Sequence, residues 1–457
     1  QYFGAYALAY NTFLARNPGN TGGAEQAALA AAAPFQLQPG TPEFDALRRR
    51  IIADNTSGKG ARINPSSFLN EISGQHEWNT KVADVVLGGA YREYRLGSDG
   101  QFFGDFDGKR IRNYEYGAYT QLSRQLLRER LKLTAAARLD DSKNFKPVFS
   151  PRASAVYSLG KDQRHNFRVS YNQAYRAPVQ QGQYLYLDLA RVLLLANIQD
   201  GYQGYRTSAA GVLPLVLRTP ATAEQNLAPF AVGVDRLRPE RVKTWEVGYK
   251  GQLLKNVVLD VNFYDSHYND FIGQFRLITN TDGSRPTVAQ LATAAASPQP
   301  FQSGPTRVIQ VQANAAQEVH TQGGLVGLTL TPLKALNLTG NYTLNVLDRA
   351  GLPEGFQTFF NTPKHKYNVG AYGELAKRLS YSVNYRWADG FLWESSFATG
   401  QLQSQSSLDG QVGFRLPALH TTLQVGGSNL ADSRNIQVYG GPQVGRLVYA
   451  GLTLDLQ

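Results

Sequence analysis

Residues Leu237–Phe271 read LRPERVKTWEVGYKGQLLKNVVLDVNFYDSHYNDF. Trp245, Val247 and Tyr249 alternate with Thr244, Glu246, Gly248 and Lys250, and a period of two places the two sets on opposite faces of a β-strand. After the polar break Leu254-Lys255-Asn256, Val257, Leu259, Val261 and Phe263 alternate with Asp260 and Asn262, so a second strand returns beside the first. The polar face carries charges and amides that a packed interior would not tolerate unpaired, so it is expected to meet water. One hairpin of this kind also fits a soluble sandwich.

Outward from this hairpin the pattern repeats. Tyr114, Tyr116, Ala118 and Leu122 oppose Asn113, Glu115 and Gln121, while Leu131, Leu133, Ala135 and Ala137 oppose Lys132, Thr134 and Arg138. The C-terminal third is cleanest: in ALNLTGNYTLNV, Leu336, Leu338, Tyr342, Leu344 and Val346 alternate with Asn337, Thr339, Asn341, Thr343 and Asn345. Leu379, Tyr381, Val383, Tyr385 and Trp387 do so against Ser380, Ser382, Asn384 and Arg386. The count reaches about 16 strands, beginning with a strand over Gln1–Ala15 and followed by an insertion, Asn17–Asn64, that holds a short helix from Thr41. The second strand of the opening hairpin is expected to continue through Ile278, with its return over Val308–Leu330. DDSKNFKPVF (140–149) reads as a loop, and RVLLLANI (191–198) as a helix or hairpin within the longest excursion, Arg176–Pro239.

Connections decide between sandwich and barrel. Short ones are expected at Asn79–Lys81, Leu126–Glu129, Gly160–Gln163, Leu253–Asn256, Pro332–Lys334, Glu374–Lys377 and Pro417, interleaved with longer loops at Gly97, Asp141, Arg176, Asn280, Asp348, Asp389 and Asp432. Short turns on one side and long loops on the other describe an antiparallel up-and-down transmembrane β-barrel with short periplasmic turns and long extracellular loops. The expected unit is a single β-barrel domain over 1–457, multi-pass, in the outer membrane of a Gram-negative cell, in contact with lipid bilayer and lipopolysaccharide.

Composition agrees. The chain has 42% hydrophobic residues, 18% charged residues, 44 Gly, 25 Tyr and 22 Phe, as a turn-rich β protein with interfacial aromatics requires. No apolar run approaches the roughly 18 residues of a spanning helix. The charge is 46 − 35 = +11, but basic residues are scattered apart from Arg48-Arg49-Arg50, which suits the solvated face of a capped helix, so no nucleic-acid partner is expected. Without cysteine there is neither a disulfide framework nor a thiolate metal site. Gln1 follows no initiator, so the chain is expected to be processed or excised.

LRPERVKTWEVGYKG with VNFYDSHYNDFI, FSPRASAVYSL with VSYNQAYRAP, NTPKHKYNVGAYGEL and SNLADSRNIQVYGGPQVGRLVYAGLTLDL resemble, in the family's order, barrel segments of TonB-dependent outer-membrane receptors. The resemblance implies active uptake of a scarce nutrient of siderophore, cobalamin, glycan or peptide class, energised through the TonB complex. It also implies a 22-stranded barrel, so the plug domain, through which TonB would be contacted, and the first strands are missing from these residues. Leu456-Gln457 lacks the terminal aromatic usual in the family.

No catalytic constellation is present: there is no Gly-x-Ser-x-Gly elbow and no Ser/His pair, so an enzyme is not expected. His76, His165, His267, His320, His365 and His420 share no short spacing, and neither metal nor cofactor is expected. Asp105-Phe106-Asp107-Gly108 lacks the remaining ligands of a calcium loop and reads as a polar turn. Lys132, Arg138, Glu246, Lys250, Asn341, Arg386 and Arg415 are expected to line the lumen, holding the plug in an intact receptor, biasing passage toward anions in an open pore, or forming a plain solvated wall. Tyr184, Tyr186, Tyr202, Tyr205 and Trp393 in the long loops are the candidates for stacking on a ligand, or for marking the membrane interface. Two other functions fit the same barrel: a passive porin-type channel, and a non-transporting surface scaffold or adhesion barrel.

Overall fold

A computed structural model describes residues 2–18, 20–56, 60–160, 162–216, 218–376, 378–396 and 398–455. Gln1, Gly19, Lys161, Lys377, Leu456 and Gln457, which figure in the expectations above, lie outside the described residues. Contacts group the chain into two compact units, Gln1–Asn64 and Pro65–Gln457.

The first unit is helical. α1 (Tyr2–Arg16), α2 (Thr21–Ala32) and α3 (Pro42–Ala53) replace the strand expected over Gln1–Ala15 and the insertion behind it. The reason lies in the spacing: Tyr6 and Tyr10 are four apart and stack at 6.1 Å, which is a helical period that the aromatic alternation concealed. Ala24, Ala28 and Ala32 are fully buried at the same spacing. Gly23 sits against the Phe13 ring, where a Cβ would come within 2.7 Å of Cζ. α3 starts where Thr41 was expected to cap it, with the Thr41 hydroxyl accepting from Phe44 N at 3.3 Å and Pro42 in the first turn.

The second unit is built on a fifteen-stranded antiparallel sheet in which every strand pairs with its sequence neighbours. Its strands are β1 (Phe68–Asn79), β2 (Asp84–Leu96), β3 (Ile111–Leu126), β4 (Leu131–Ser142) and β5 (Phe145–Leu159). Next come β6 (His165–Arg176), β7 (Glu240–Leu254), β8 (Val257–Asn269), β9 (Val319–Leu333) and β10 (Leu336–Asp348). The last five are β11 (His365–Leu375), β12 (Leu379–Ala388), β13 (Gln405–Leu416), β14 (Thr421–Ser428) and β15 (Leu447–Leu454). β1 and β15 are the two edges; among the described residues nothing pairs with their outer sides.

Register carries each face intact across the sheet. Tyr157, Phe167, Tyr249, Val261, Val326, Tyr342, Tyr367 and Trp387 form one cross-strand row. Many members of this face stand half-exposed, including Trp245 at 55%, Val369 at 56% and Val425 at 65%. So much contiguous exposed apolar surface exceeds what a protein presents to water and suits hydrocarbon. The opposite face runs Lys250, Asp260, Gly327, Asn341, Asn368, Arg386, Ser407 in a single row.

Two expected connections change. The loop at DDSKNFKPVF shrinks to Lys143-Asn144, because β4 and β5 stay paired through Ser142↔Phe145. The long strand through Ile278 breaks at Asp270, whose left-handed φ of 56° bends the chain out of the sheet. Ile272–Asn280 and Thr306–Asn314 then pair with each other in a separate six-stranded sheet rather than extending β8 and β9. RVLLLANI takes the hairpin alternative: Leu193–Leu195 pairs antiparallel with Tyr186–Asp188 and parallel with Thr306–Asn314. This loop-side sheet holds the apolar core, with Leu193, Leu277, Ile309 and Val311 at 0–2% exposure.

Candidate ligand site on the loop side

Glu240 ties the loop-side sheet to the wall. Its buried Oε2 accepts from Arg176 Nη2 at 2.6 Å, across the β6–β7 pair, and from Ile272 N at 2.8 Å, where the loop-side strand begins. Asn314 closes the same junction by donating to Asp270 O at 2.6 Å.

Among the loop-side segments lies a cleft of about 380 Å³ lined by Tyr184, Tyr186, Asn197, Asp200, Tyr202 and Asp282 among others. Tyr184 ends the short helix Gln180–Tyr184, which Asn113 and Asn144 hold from the wall: Asn113 Nδ2 donates to Gln180 Oε1 at 2.9 Å, and Asn144 Nδ2 to both Gln183 Oε1 and the Tyr184 hydroxyl at 2.7 Å. Tyr186 packs edge-on against Phe106, centroids 4.8 Å apart. Tyr202 donates to Ala196 O at 2.9 Å, and burial pushes its phenol up to about 12. Burial also pushes Tyr184 upward against the opposing effect of the Asn144 amide, so both phenols are neutral near pH 7. Gly201 makes the turn into Tyr202 with a left-handed φ of +80°, and a Cβ there would meet Val234 O at 2.3 Å. Asp282 is held below the usual carboxylate range by the Ser284 hydroxyl and amide, both bonded to its Oδ1.

Asn197 is 1% exposed and braces the cleft, donating to Asp235 O at 2.8 Å and Gln312 O at 3.0 Å while its own Oδ1 finds no partner among the described residues. An aromatic wall beside buried amides and exposed aspartates offers stacking surface together with hydrogen-bonding groups, the mixed lining that small-molecule sites use.

Three of the five loop aromatics thus meet in one cleft. Tyr205 instead packs into a buried cluster with Leu213, Leu227 and Ile278, under the Arg285 guanidinium at 5.9 Å. Trp393 belongs to a separate hairpin, opposite Gly400, with its indole N–H buried and without a partner among the described residues. Asn144 and Asn197 carry no local sign of this role in the sequence, and Asn113 shows there only as a polar-face residue of its strand. Asn144 lay inside a stretch read as a long loop, and amides whose partners are over 35 residues away leave no local signal.

The seven polar candidates of the wall share one face by register. Arg138 pairs with Asp140 and lies 5.6 Å over the Tyr119 ring. Lys250 approaches Asp260 at 3.6 Å, and Arg168 holds the other oxygen of that carboxylate at 3.0 Å. Asn341 accepts from Asn368 at 2.9 Å, Arg386 pairs with Asp409, and Arg415 stands 4.0 Å from Glu374 near a short turn. Lys132 and Glu246 make no ion pair among the described residues. Asp105 anchors its own loop, accepting from Ser98 N, Ser98 Oγ, Asp99 N and Gly100 N at 2.6–3.0 Å.

The family model "TonB dependent receptor-like, beta-barrel" matches residues 2–430. Comparison with curated proteins returns no match. Among solved structures, the siderophore receptor PirA of Acinetobacter baumannii is 14% identical with a TM-score of 0.55, covering 84% of this chain and 54% of that one. The ferric enterobactin receptor PfeA of Pseudomonas aeruginosa, as a G324V mutant, is 16% identical with a TM-score of 0.58 at the same coverages, 84% and 54%. The FrpB iron transporter of Neisseria meningitidis is 10% identical with a TM-score of 0.54, again over 84% and 54%. This chain therefore spans about half the length of the structures it matches. The likeness to these structures is one of fold: a β-barrel wall. That fold is the one the alternating faces and the short and long connections describe, and the family is one of receptors rather than enzymes. With the family model running through nearly the whole wall, this chain belongs to the TonB-dependent receptor β-barrel family.

Proposed function

We propose that this chain is the wall and loop apparatus of an outer-membrane receptor that captures a scarce nutrient on its loop side and admits it along the polar face, energised through TonB. The observation that carries the reading is the pairing of two opposed faces with one built cleft. An apolar face with a cross-strand aromatic row suits lipid and lipopolysaccharide. A face of paired charges such as Arg168–Asp260 and Arg386–Asp409 suits a wet lumen or a plug surface. In a bilayer, where an open edge is costly, the edges β1 and β15 require pairing partners.

Siderophores are the leading class among siderophore, cobalamin, glycan and peptide ligands, since the solved structures named above are siderophore receptors and an iron transporter. In this reading Tyr184, Tyr186 and Tyr202 supply the stacking surface, and Lys132, Arg138, Glu246, Lys250, Asn341, Arg386 and Arg415 line the lumen. TonB engagement belongs to the family's plug region.

The test is uptake of labelled ferric siderophores by iron-starved cells carrying or lacking the gene, with and without a functional TonB system. Uptake lost in both deletions supports the reading. Uptake indifferent to TonB, with solute flux through liposomes bearing the protein, would replace it with a passive channel. A closed barrel whose loops bind a macromolecular partner would make it a scaffold. Tyr184→Ala with Tyr202→Ala is expected to weaken ligand binding by about fivefold to 150-fold, since stacking on two aromatics is worth about 1–3 kcal/mol. Unchanged affinity would remove the cleft from the proposal.

A further inference from the structure

Two of the six histidines, distant in sequence, are brought face to face by strand register. His267 of β8 lies directly opposite His320 of β9, and Asp265 lies opposite Gln322. All three titratable residues belong to the apolar, outward face, continuing the line of Phe263 and Val326, which are 48% and 45% exposed. They sit at the loop end of the wall, where β8 finishes at Asn269 and β9 begins at Val319.

The donor atoms converge. Asp265 Oδ2 is 3.1 Å from His267 Nε2, and Asp265 Oδ1 contacts His320 Nε2. The three ligand atoms lie within 4.8 Å of one another, and the imidazoles stack with centroids 4.6 Å apart and planes 28° from parallel. Glu318 Oε1 holds His267 Nδ1 at 2.8 Å, which fixes the ring and leaves Nε2 facing the convergence point. A carboxylate behind a ligating imidazole is the usual outer-shell support of a metal site. The side chains are one-third to two-fifths exposed, so the site is reachable from outside.

We infer that Asp265, His267 and His320 bind one divalent transition-metal ion of the zinc type on the outer wall of this protein. Two imidazole nitrogens and one carboxylate oxygen match zinc-type preferences, whereas calcium and magnesium require oxygen ligands throughout. Three protein ligands leave a coordination position open toward the surroundings, where water or an anionic oxygen completes the shell. The site is separate from the loop-side cleft and does not depend on what the receptor imports.

The experiment uses the whole protein as the cell makes it, extracted in detergent, stripped with chelator and titrated with zinc chloride by calorimetry, with bound metal counted by elemental analysis. One zinc per chain is expected, not displaced by excess magnesium. His267→Gln and His320→Gln are each expected to abolish that equivalent, and Glu318→Gln to weaken it about 10-fold to 100-fold without changing the stoichiometry. Zinc binding that is absent, or unchanged in both histidine variants, would overturn the inference and leave Asp265 as an ion-pair clamp between β8 and β9. Should a variant fail to assemble, carbethoxylation of the unmodified protein decides: zinc is expected to shield His267 and His320, and equal reaction with and without zinc would overturn the site.

Discussion

Arg307 and Asp188, 119 positions apart, join through two parallel hydrogen bonds of 2.8 Å that lock the outermost strand of the loop-side sheet to its interior. The Arg307 side chain is 8% exposed and that of Asp188 22%, so the pair is largely buried. Removing one partner strands the other charge, and Arg307→Met is expected to destabilise the loop-side sheet by about 3–5 kcal/mol. Exchanging both, Arg307→Met with Asp188→Leu, should recover most of that loss. Hydrogen exchange of residues 186–195 and 306–314 reads both outcomes. Burial alone would push the Asp188 carboxyl up, but the Arg307 guanidinium outweighs it and the folded value is depressed. The pair's stabilisation is therefore complete above the unfolded value of about 3.9 and disappears as pH falls through the lower folded value.

Arg168 and Asp260 show the same chemistry in a wet place. Their side chains are 37% and 30% exposed on the polar face, with Lys250 nearby as a second cation. A double-mutant cycle, Arg168→Met against Asp260→Asn, is expected to give a coupling of about 0.2–1 kcal/mol, shrinking in high salt. A coupling above 2 kcal/mol would mean that this face is shielded from water.

Asp105 organises the β2–β3 connection. Asp99 and Gly100 both adopt positive φ, 53° and 72°, and their amides turn inward onto its carboxylate. Asp105→Ala leaves these donors without a partner, and about 1–3 kcal/mol per buried group is expected to be lost locally. Limited proteolysis within 97–110 should accelerate in the variant, with barrel stability unchanged. Burial raises the Asp105 carboxyl, and the Ser98 and Gly100 donors overcome it, leaving a depressed value. Loop protection should then hold at and above about pH 4 and fail only on further acidification. Calcium or its chelation should change nothing, because both carboxylate oxygens are already engaged by protein donors.

The wall was legible because lipid on one side and water on the other force a period of two onto each strand, as in Leu379–Ala388. The loop-side sheet was not, for the same reason turned around. Leu193–Leu195 is buried on both faces, so it shows a continuous apolar run that suits a buried strand or helix equally. The break at Asp270 rests on a single left-handed residue between two β-like runs, and alternation carries straight across it. Tyr6 and Tyr10 satisfied both a loose aromatic strand and a helical spacing; tertiary contact with α2 chose the helix. Cross-strand partners such as His267 and His320 become visible only when register is known, which sequence spacing does not supply.

Val383 and Asn384 offer the sharpest test of which face meets lipid, since they are neighbours in β12 and point to opposite sides. Val383 is 48% exposed on the apolar face, while Asn384 pairs in register with Gly370 and Asp409 on the polar one. Val383→Arg near mid-strand is expected to cost about 2–4 kcal/mol of folding stability in a bilayer. Asn384→Arg should cost under about 1 kcal/mol, its guanidinium reaching water and Asp409 on the same face. Urea unfolding in phospholipid vesicles, followed by tryptophan fluorescence, measures both. Equal costs would mean that both faces are wet and would sink the membrane reading; the reverse order would exchange the two faces.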